Sequence, residues 1–174
     1  MSVELILGGA RSGKSALAER LATASGLEVV YIATSQALDA EMAERVAHHR
    51  RRRPTGWQLV EEPLELARVL AEQSGARRCL LVDCLTLWLT NLLLLDDPQR
   101  LAAERRALLE RLPSLPGRVI LVSNETGLGV VPLGELTRRY VDEAGWLHQA
   151  VAAEAERVVF SVAGLPCVLK GAPL

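Results

Sequence analysis

The chain is poor in aromatic residues and has no clear excess of charge of either sign. Phenylalanine, tryptophan and tyrosine make up only 3% of its 174 residues, so aliphatic side chains must fill any core. The formal net charge is −1, whereas general nucleic-acid binders usually carry a marked basic excess. Since apolar residues make up 49% of the chain, we expect one globular domain over residues 1–174 that does not bind nucleic acid.

Cysteine is also scarce, and the three thiols are scattered. Cys79, Cys84 and Cys167 form no CxxC pair and no cluster with histidine, which disfavours a zinc site and a disulfide framework and is typical of a cytoplasmic protein. The first ten residues have no basic segment and no cleavage site, so we expect no signal peptide. The most apolar stretch, from Cys84 to Leu95, is too short to span a membrane.

Short apolar runs alternate with helical patterns along the chain. The runs predict strands over Val3–Leu7, Glu28–Ala33, Cys79–Asp83, Arg118–Asn124 and Arg157–Val162. Helices are predicted at about Gly13–Ala24, Leu38–Arg52, Pro63–Glu72, Leu101–Leu112 and Leu133–Glu156. Continuous apolar strands that alternate with helices indicate an α/β fold, with a mainly parallel sheet covered by helices on both faces. The tail Leu165–Gly171 is a candidate antiparallel edge strand.

The segment GGARSGKS matches the phosphate-binding pattern G-x-x-x-x-G-K-[ST] between a predicted strand and a predicted helix. Backbone N–H groups of such a loop bind phosphate oxygens, and the helix N-terminus adds partial positive charge. Lys14 is then expected to bind the outer phosphates, and Ser15 to hold Mg²⁺. The candidate contacts are Gly8, Gly9, Ala10, Arg11, Ser12, Gly13, Lys14 and Ser15. The alternative is a glycine-rich turn that happens to carry a lysine.

Asp83 ends a predicted apolar strand. Phosphate-loop proteins place an acid there that holds Mg²⁺ directly or through water, although such a residue also caps following helices. The guanine-specific motif N-K-x-D does not occur in the chain. The segment Ser123–Gly127 begins like it but has Glu125 where lysine would stand, which disfavours a switch GTPase.

Two adjacent histidines lie near the end of the second predicted helix. At 3.6 residues per turn, His49 continues an apolar stripe and His48 falls among charged residues. The stripe consists of Leu38, Met42 and Val46. A neutral imidazole beside the guanidinium groups of Arg50–Arg53 is suited to attack a bound phosphorus atom. The alternative is a structural His49 followed by a solvated basic helix end.

Several further blocks resemble, in order, one enzyme family. The segment Ala33–Pro63 contains ATS, D-x-E-M, H-x-x-x-R-P-x-x-W and E-E-P. Later blocks are LVDCLTLWLTNLL at Leu81–Leu93, LVSNETGLGVVP at Leu121–Pro132 and RYVDEAGWLHQAVA at Arg139–Ala152. With the phosphate loop they cover nearly the whole chain. The chain resembles the bifunctional adenosylcobinamide kinase and adenosylcobinamide-phosphate guanylyltransferase family of cobalamin biosynthesis.

The resemblance implies a phosphate-loop NTPase-like fold, a homotrimer and two activities. One phosphorylates the aminopropanol hydroxyl of adenosylcobinamide with ATP or GTP. The other transfers GMP from GTP to adenosylcobinamide phosphate through a guanylylated histidine, which yields adenosylcobinamide-GDP and pyrophosphate. Both use nucleotides as substrates, with Mg²⁺ as the expected cofactor.

The resemblance also implies which residues act. Counting back from Arg53 and Pro54 places its nucleophilic histidine at His49. Its nucleotide contacts correspond to the loop residues named above and to Ala33, Thr34, Ser35, Arg50, Arg51, Arg52, Arg53, Glu61 and Asp83. The chain departs from the family pattern at His148, where asparagine is expected.

Some alternatives stay open from the sequence. Glu61 is either a nucleotide contact or an exposed acid, and the loop 124–129 either closes over substrate or merely joins a strand to a helix. A phosphate-loop kinase for another small alcohol, with a structural His49, would explain the motifs as well. So would a nucleotide-dependent regulatory module without enzymatic activity.

Overall fold

The computed structural model describes residues 2–36, 54 and 56–174. Its strands are β1 (Ser2–Gly8), β2 (Glu28–Ala33), β3 (Gln58–Glu61), β4 (Arg78–Asp83), β5 (Arg118–Asn124), β6 (Arg157–Val162) and β7 (Leu165–Lys170). Its helices are α1 (Lys14–Ala24), α2 (Leu66–Gln73), α3 (Leu85–Leu94), α4 (Pro98–Arg111) and α5 (Glu135–Glu154), and a 3-10 turn follows α4 at Leu112–Ser114. No helix in this part of the chain is both long and apolar enough to cross a membrane.

The strands form one sheet in the order β3-β2-β4-β5-β1-β6-β7. The first six are parallel, and β7 pairs antiparallel with β6 at the edge. The predicted parallel sheet and its antiparallel edge strand are therefore confirmed. Because the strands are parallel, their carboxyl ends meet at one edge, where Gly8 pairs with Asn124 and Ala33 pairs with both Asp83 and Glu61.

Alternate side chains of the strands enter two separate cores, one on each face of the sheet. On one face, Leu5 and Leu7 of β1 pack in a core with residues of α2, α3, α4 and α5. On the other, Ile6 packs in a core with Leu17 and Ala18 of α1. Helices therefore cover both faces, as predicted, and continuous apolar strands are needed because neither face of the central strands is exposed.

The element boundaries differ from the sequence prediction in several places. Strand β3 is a largely exposed edge strand of four residues without an apolar run, so no sequence pattern predicts it. Helix α3 is apolar on nearly all sides, so its sequence does not alternate apolar and polar residues at helical spacing. Helix α4 begins at Pro98 rather than Leu101, because the Asp97 carboxylate accepts hydrogen bonds from the N–H groups of the first turn. The helix predicted over Leu38–Arg52 lies outside the described residues.

A buried carboxylate joins three adjacent strands, β5, β1 and β6, at their amino ends. Glu4 of β1 is 2% exposed. Its carboxylate accepts a hydrogen bond of 2.6 Å from Arg118 Nε of β5 and one of 3.0 Å from Arg157 Nε of β6. Arg118 also donates to the carbonyl of Leu21 in α1. The burial of this acid is tolerable only because both arginines compensate its charge.

We expect Glu4→Gln to lower the free energy of unfolding by about 3 kcal/mol, since two partly buried guanidinium groups then lose their counter-charge. Denaturant titration measures the change. Glu28→Gln is the control: it removes the exposed partner of Arg78 in the same sheet and should cost less than about 1 kcal/mol. Equal losses of unfolding free energy in the two variants would show that the buried network stabilises the fold no more than an exposed ion pair does.

Candidate active site

The loop Gly8–Ser15 leaves β1 at the carboxyl edge of the sheet and enters α1. Arg11 and Gly13 have positive φ angles of 57° and 92°, so successive residues turn the backbone tightly. Gly13 is the N-cap of α1 and no side chain caps that end of the helix. The first N–H groups of α1 therefore lack a side-chain acceptor, which is the arrangement that binds an anion.

Lys14 lies inside this loop. The residue is 9% exposed, and its Nζ donates a hydrogen bond of 3.0 Å to the carbonyl of Gly9. Burial lowers the pKa of Lys14, an effect that the nearby Cys84 and Asp83 partly offset. The ammonium group is thus held among loop atoms at the end of the sheet, where a phosphate would supply its missing counter-charge.

The end of β6 and the turn that follows it hold the phosphate loop in place. The N–H of Gly164 and the hydroxyl of Ser161 both donate to the carbonyl of Ser12, at 2.9 and 2.8 Å. A Cβ on Gly8 would lie 2.6 Å from the carbonyl oxygen of Ser161, and one on Gly13 would lie 3.1 Å from Cα of Gly164. Glycine is required at both positions because the two loops touch through their backbones.

Sequence reasoning did not identify Ser161 and Gly164 as supports of the loop. The available signal was the Ala-Gly pair before the predicted edge strand, whose glycine favours the positive φ angles of a tight hairpin turn. No motif links that pair to a loop almost 150 residues earlier.

Asp83 lies at the end of β4, at the same sheet edge as the loop. One of its carboxylate oxygens accepts a hydrogen bond of 3.1 Å from the hydroxyl of Tyr31, whose ring stacks on Trp57. The N-cap of α3 is Cys84, and no side chain caps that helix. Asp83 is therefore oriented by a phenol and does not serve as the helix cap that the sequence left open.

Thr34 and Ser35, which follow β2, differ in exposure and in role. Thr34 is completely buried; its hydroxyl donates to the carbonyl of Cys84 at 2.7 Å and accepts from the N–H of Cys84 at 3.0 Å. Asn91 of α3 donates to the carbonyl of Thr34. The side chain of Thr34 thus ties β2 to β4, while the half-buried Ser35 and the exposed Glu61 lie at the accessible edge.

His49, its neighbour His48 and the four arginines Arg50–Arg53 lie outside the described residues. The described chain stops at Gln36, one residue after Ser35, and resumes as a continuous segment at Gly56, just before β3. The nucleotide contacts assigned to Ala33, Ser35, Glu61 and these arginines stay predictions.

A second group of polar side chains adjoins the phosphate loop. Its members, here called the carboxylate–histidine cluster, are Thr86, Ser123, Glu125 and His148. His148 is 7% exposed; its Nε2 lies 2.8 Å from Ser123 Oγ and its Nδ1 lies 3.7 Å from a Glu125 oxygen. Burial lowers the pKa of His148, and Glu125 partly offsets that effect. The residue at which the chain departs from the family pattern is therefore part of an internal network.

A sequence model of the family described as cobinamide kinase / cobinamide phosphate guanyltransferase matches residues 4–169. The chain belongs to this family. It is 73% identical over 171 residues to the bifunctional adenosylcobalamin biosynthesis protein CobP of Pseudomonas aeruginosa PAO1, a match that covers 98% of this chain and 99% of CobP. It is 40% identical over 179 residues to the protein CobU of Escherichia coli K12, with 95% and 98% coverage.

Two solved structures share the fold. The RadB recombinase superposes with a TM-score of 0.54 at 18% identity, over 91% of this chain and 73% of its own. A protein of Pyrococcus horikoshii OT3 superposes with a TM-score of 0.60 at 8% identity, over 99% and 87%. The predicted phosphate-loop NTPase-like fold is confirmed by these likenesses, and family membership confirms the prediction of an enzyme, a kinase and guanylyltransferase.

We expect Lys14→Met to weaken nucleotide binding by about 10- to 100-fold, because the variant loses a charge-assisted contact to the outer phosphates. Calorimetric titration with GTP measures the change. Lys170→Met is a matched control, since Lys170 is the only other lysine of the chain and is exposed on β7. Equal GTP affinity in the Lys14 variant and the wild type would refute the assignment of this loop.

Proposed function

We propose that this protein phosphorylates the aminopropanol hydroxyl of adenosylcobinamide with ATP or GTP and then transfers GMP from GTP to the phosphate formed. The observation that carries the proposal is the phosphate loop, with Lys14 buried in it and Asp83 at the same sheet edge. The family description and the names of the relatives, adenosylcobalamin biosynthesis proteins, support a corrinoid substrate.

The kinase step requires that a triphosphate be held with its terminal phosphorus open to the acceptor. The uncapped N-terminus of α1 and the N–H groups of the loop bind phosphate oxygens, and Lys14 neutralises charge on the outer phosphates. The N–H of Gly164 donates to the loop carbonyl of Ser12 and so satisfies this oxygen within the protein. Catalysis in this arrangement consists of positioning and charge neutralisation.

The residues at the sheet edge fit a magnesium ion. Ser15 lies in the first turn of α1, and the Asp83 carboxylate is oriented by Tyr31. Mg²⁺ is commonly held by one or two such oxygen donors together with substrate phosphates, and the described residues contain no cluster of three or more metal-binding side chains. When bound there, the ion would neutralise charge on the substrate phosphates.

The guanylyltransferase step requires a nucleophile. We assign it to His49 on two grounds: the residue continues an apolar stripe in the sequence, and the family resemblance implies a nucleophile four residues before Arg53. A neutral imidazole attacks the α-phosphorus of GTP, a P–N bond forms and pyrophosphate leaves. A phosphate oxygen of adenosylcobinamide phosphate then attacks the same phosphorus, the P–N bond breaks and the histidine is regenerated.

Incubation with GTP labelled in its α-phosphate, followed by denaturing electrophoresis, tests this step. We expect an acid-labile label on the wild type and on His48→Ala, and none on His49→Ala. Formation of the adduct should fall at acidic pH because protonated imidazole is not a nucleophile. Label that persists in His49→Ala and disappears in His48→Ala would move the nucleophile to His48, whereas an unlabelled wild type would refute the adduct.

We expect Asp83→Asn to shift the Mg²⁺ requirement of phosphorylation to higher concentrations, since the amide keeps the shape of the side chain and removes its charge. Titration of the kinase rate with Mg²⁺ measures the shift. Asp142→Asn, on the exposed face of α5, is the matched control. A Mg²⁺ dependence identical to that of the wild type would remove Asp83 from the metal site.

The quaternary structure proposed by resemblance is a homotrimer of single-domain subunits in the cytoplasm. An exposed apolar segment between β5 and α5 supports the proposal that subunits associate. Leu128, Val130, Val131 and Leu133 are 70% to 98% exposed, and contiguous exposed apolar side chains usually mark a surface that another molecule covers.

A further inference from the structure

The carboxylate–histidine cluster is fixed to the phosphate loop through the backbone. The N–H of Glu125 donates a hydrogen bond of 3.1 Å to the carbonyl of Gly8, the first residue of the loop. Asn124, the preceding residue, pairs with Gly8 across β1 and β5. The Glu125 side chain is 21% exposed, so its carboxylate reaches the surface beside the loop, where one of its oxygens accepts a hydrogen bond from the N–H of Gly127.

Hydrogen bonds within the cluster connect the histidine ring to β5 and α3. The N–H of Asn124 donates to Thr86 Oγ1, and the hydroxyls of Thr86 and Ser123 lie 3.4 Å apart. With Ser123 donating to Nε2 of His148, the proton of the neutral ring is on Nδ1, the atom that faces Glu125. The ring then presents an N–H to the carboxylate and restricts its orientation.

Serine, histidine and an acidic residue also form the catalytic triad of serine hydrolases. The burial of Ser123 excludes that chemistry here. Ser123 is 1% exposed near the carboxyl end of β5, so no substrate carbonyl can reach its hydroxyl. The accessible end of the network is Glu125. Ser123 and His148 therefore orient the Glu125 carboxylate, and this carboxylate is the group that contacts the substrate.

Two further buried polar atoms lie on this side of the loop. Among the described residues, Tyr140 Oη of α5 and Asn124 Oδ1 make no hydrogen bond of normal geometry, although the tyrosine hydroxyl lies near Thr86 and Glu125. Both atoms are fully enclosed by protein, so they belong to the interior of the cluster and not to the surface that a substrate contacts.

We propose that Glu125 is the general base of the kinase step and that His148 is its positioning residue. This inference rests on the proposed function. The acceptor hydroxyl oxygen attacks the γ-phosphorus of the nucleotide and forms the new P–O bond. The bond from that phosphorus to the bridging oxygen breaks, the nucleoside diphosphate leaves, and the hydroxyl proton passes to a Glu125 oxygen.

The other described acids at this sheet edge are less suited to the role. Asp83 is oriented by Tyr31 and belongs to the proposed metal site. Glu61 ends β3, which is separated from β1 by β2, β4 and β5. Glu125 alone of these three is hydrogen-bonded through its backbone to the phosphate loop.

Single-turnover phosphorylation of adenosylcobinamide with γ-labelled ATP tests the proposal in Glu125→Gln, Glu125→Asp and the control Glu154→Gln. Glu154 is an exposed acid at the far end of α5. We expect Glu125→Gln to slow the chemical step by about 100-fold, the loss typical of a missing general base. Glu125→Asp should keep part of the rate, and Glu154→Gln all of it. GTP affinity and labelling of the protein by α-labelled GTP should match the wild type in all three.

A second pair of variants tests the positioning role of His148. We expect His148→Leu to lower kcat with little change in KM for adenosylcobinamide, and His148→Asn, which keeps a hydrogen-bonding side chain, to restore part of the loss. Proportionate losses of kcat, nucleotide affinity and thermal stability in both variants would instead indicate a merely structural residue.

The results separate this inference from the function on which it rests. A normal chemical rate in Glu125→Gln would overturn the inference while leaving the proposed function intact. A Glu125→Gln variant that also loses GTP affinity would overturn it as well, because the residue would then support the loop. A wild type that binds GTP and fails to phosphorylate adenosylcobinamide would overturn the proposed function itself.

Discussion

The position of β1 in the middle of the sheet is the constraint on which the site depends. The strand pairs with β5 on one edge and β6 on the other, and its side chains are buried on both faces. The phosphate loop that follows β1 therefore starts from a buried strand that is paired on both edges. Each neighbouring strand supplies a contact to the loop just beyond β1: Glu125 through its N–H and Ser161 through its hydroxyl.

Buried charged side chains lie near both ends of this strand, and their charge is compensated differently at each end. At the amino end Glu4 is compensated by Arg118 and Arg157, so the network is complete without a ligand. At the carboxyl end Lys14 is bonded to a loop carbonyl, and burial lowers its pKa. The first arrangement stabilises the fold, whereas the second is completed by a substrate anion.

Much of the fold was predictable because it follows from local pattern. Apolar strands, the phosphate loop between β1 and α1, and the acid at the end of β4 are all readable from short segments. The resemblance to the family was likewise confirmed. Contacts between distant segments were not readable: the hydroxyl of Thr34 donates to the carbonyl of Cys84 and the carbonyl of Thr34 accepts from Asn91, 50 and 57 residues away. The same holds for His148, whose partner Ser123 is on a strand and not on its own helix.

The hydrogen bonds from Ser161 and Gly164 to the phosphate loop also affect the order in which the protein is built. During synthesis the loop emerges first, and the strand that holds it follows 149 residues later. Until β6 pairs with β1 the loop has no partner for the carbonyl of Ser12, and one edge of the central strand stays open. Contacts of such long sequence separation form slowly, so a partly synthesised chain carries the nucleotide-binding motif without the support that shapes it. The capacity to bind nucleotide therefore comes late, with the closing strands of the sheet.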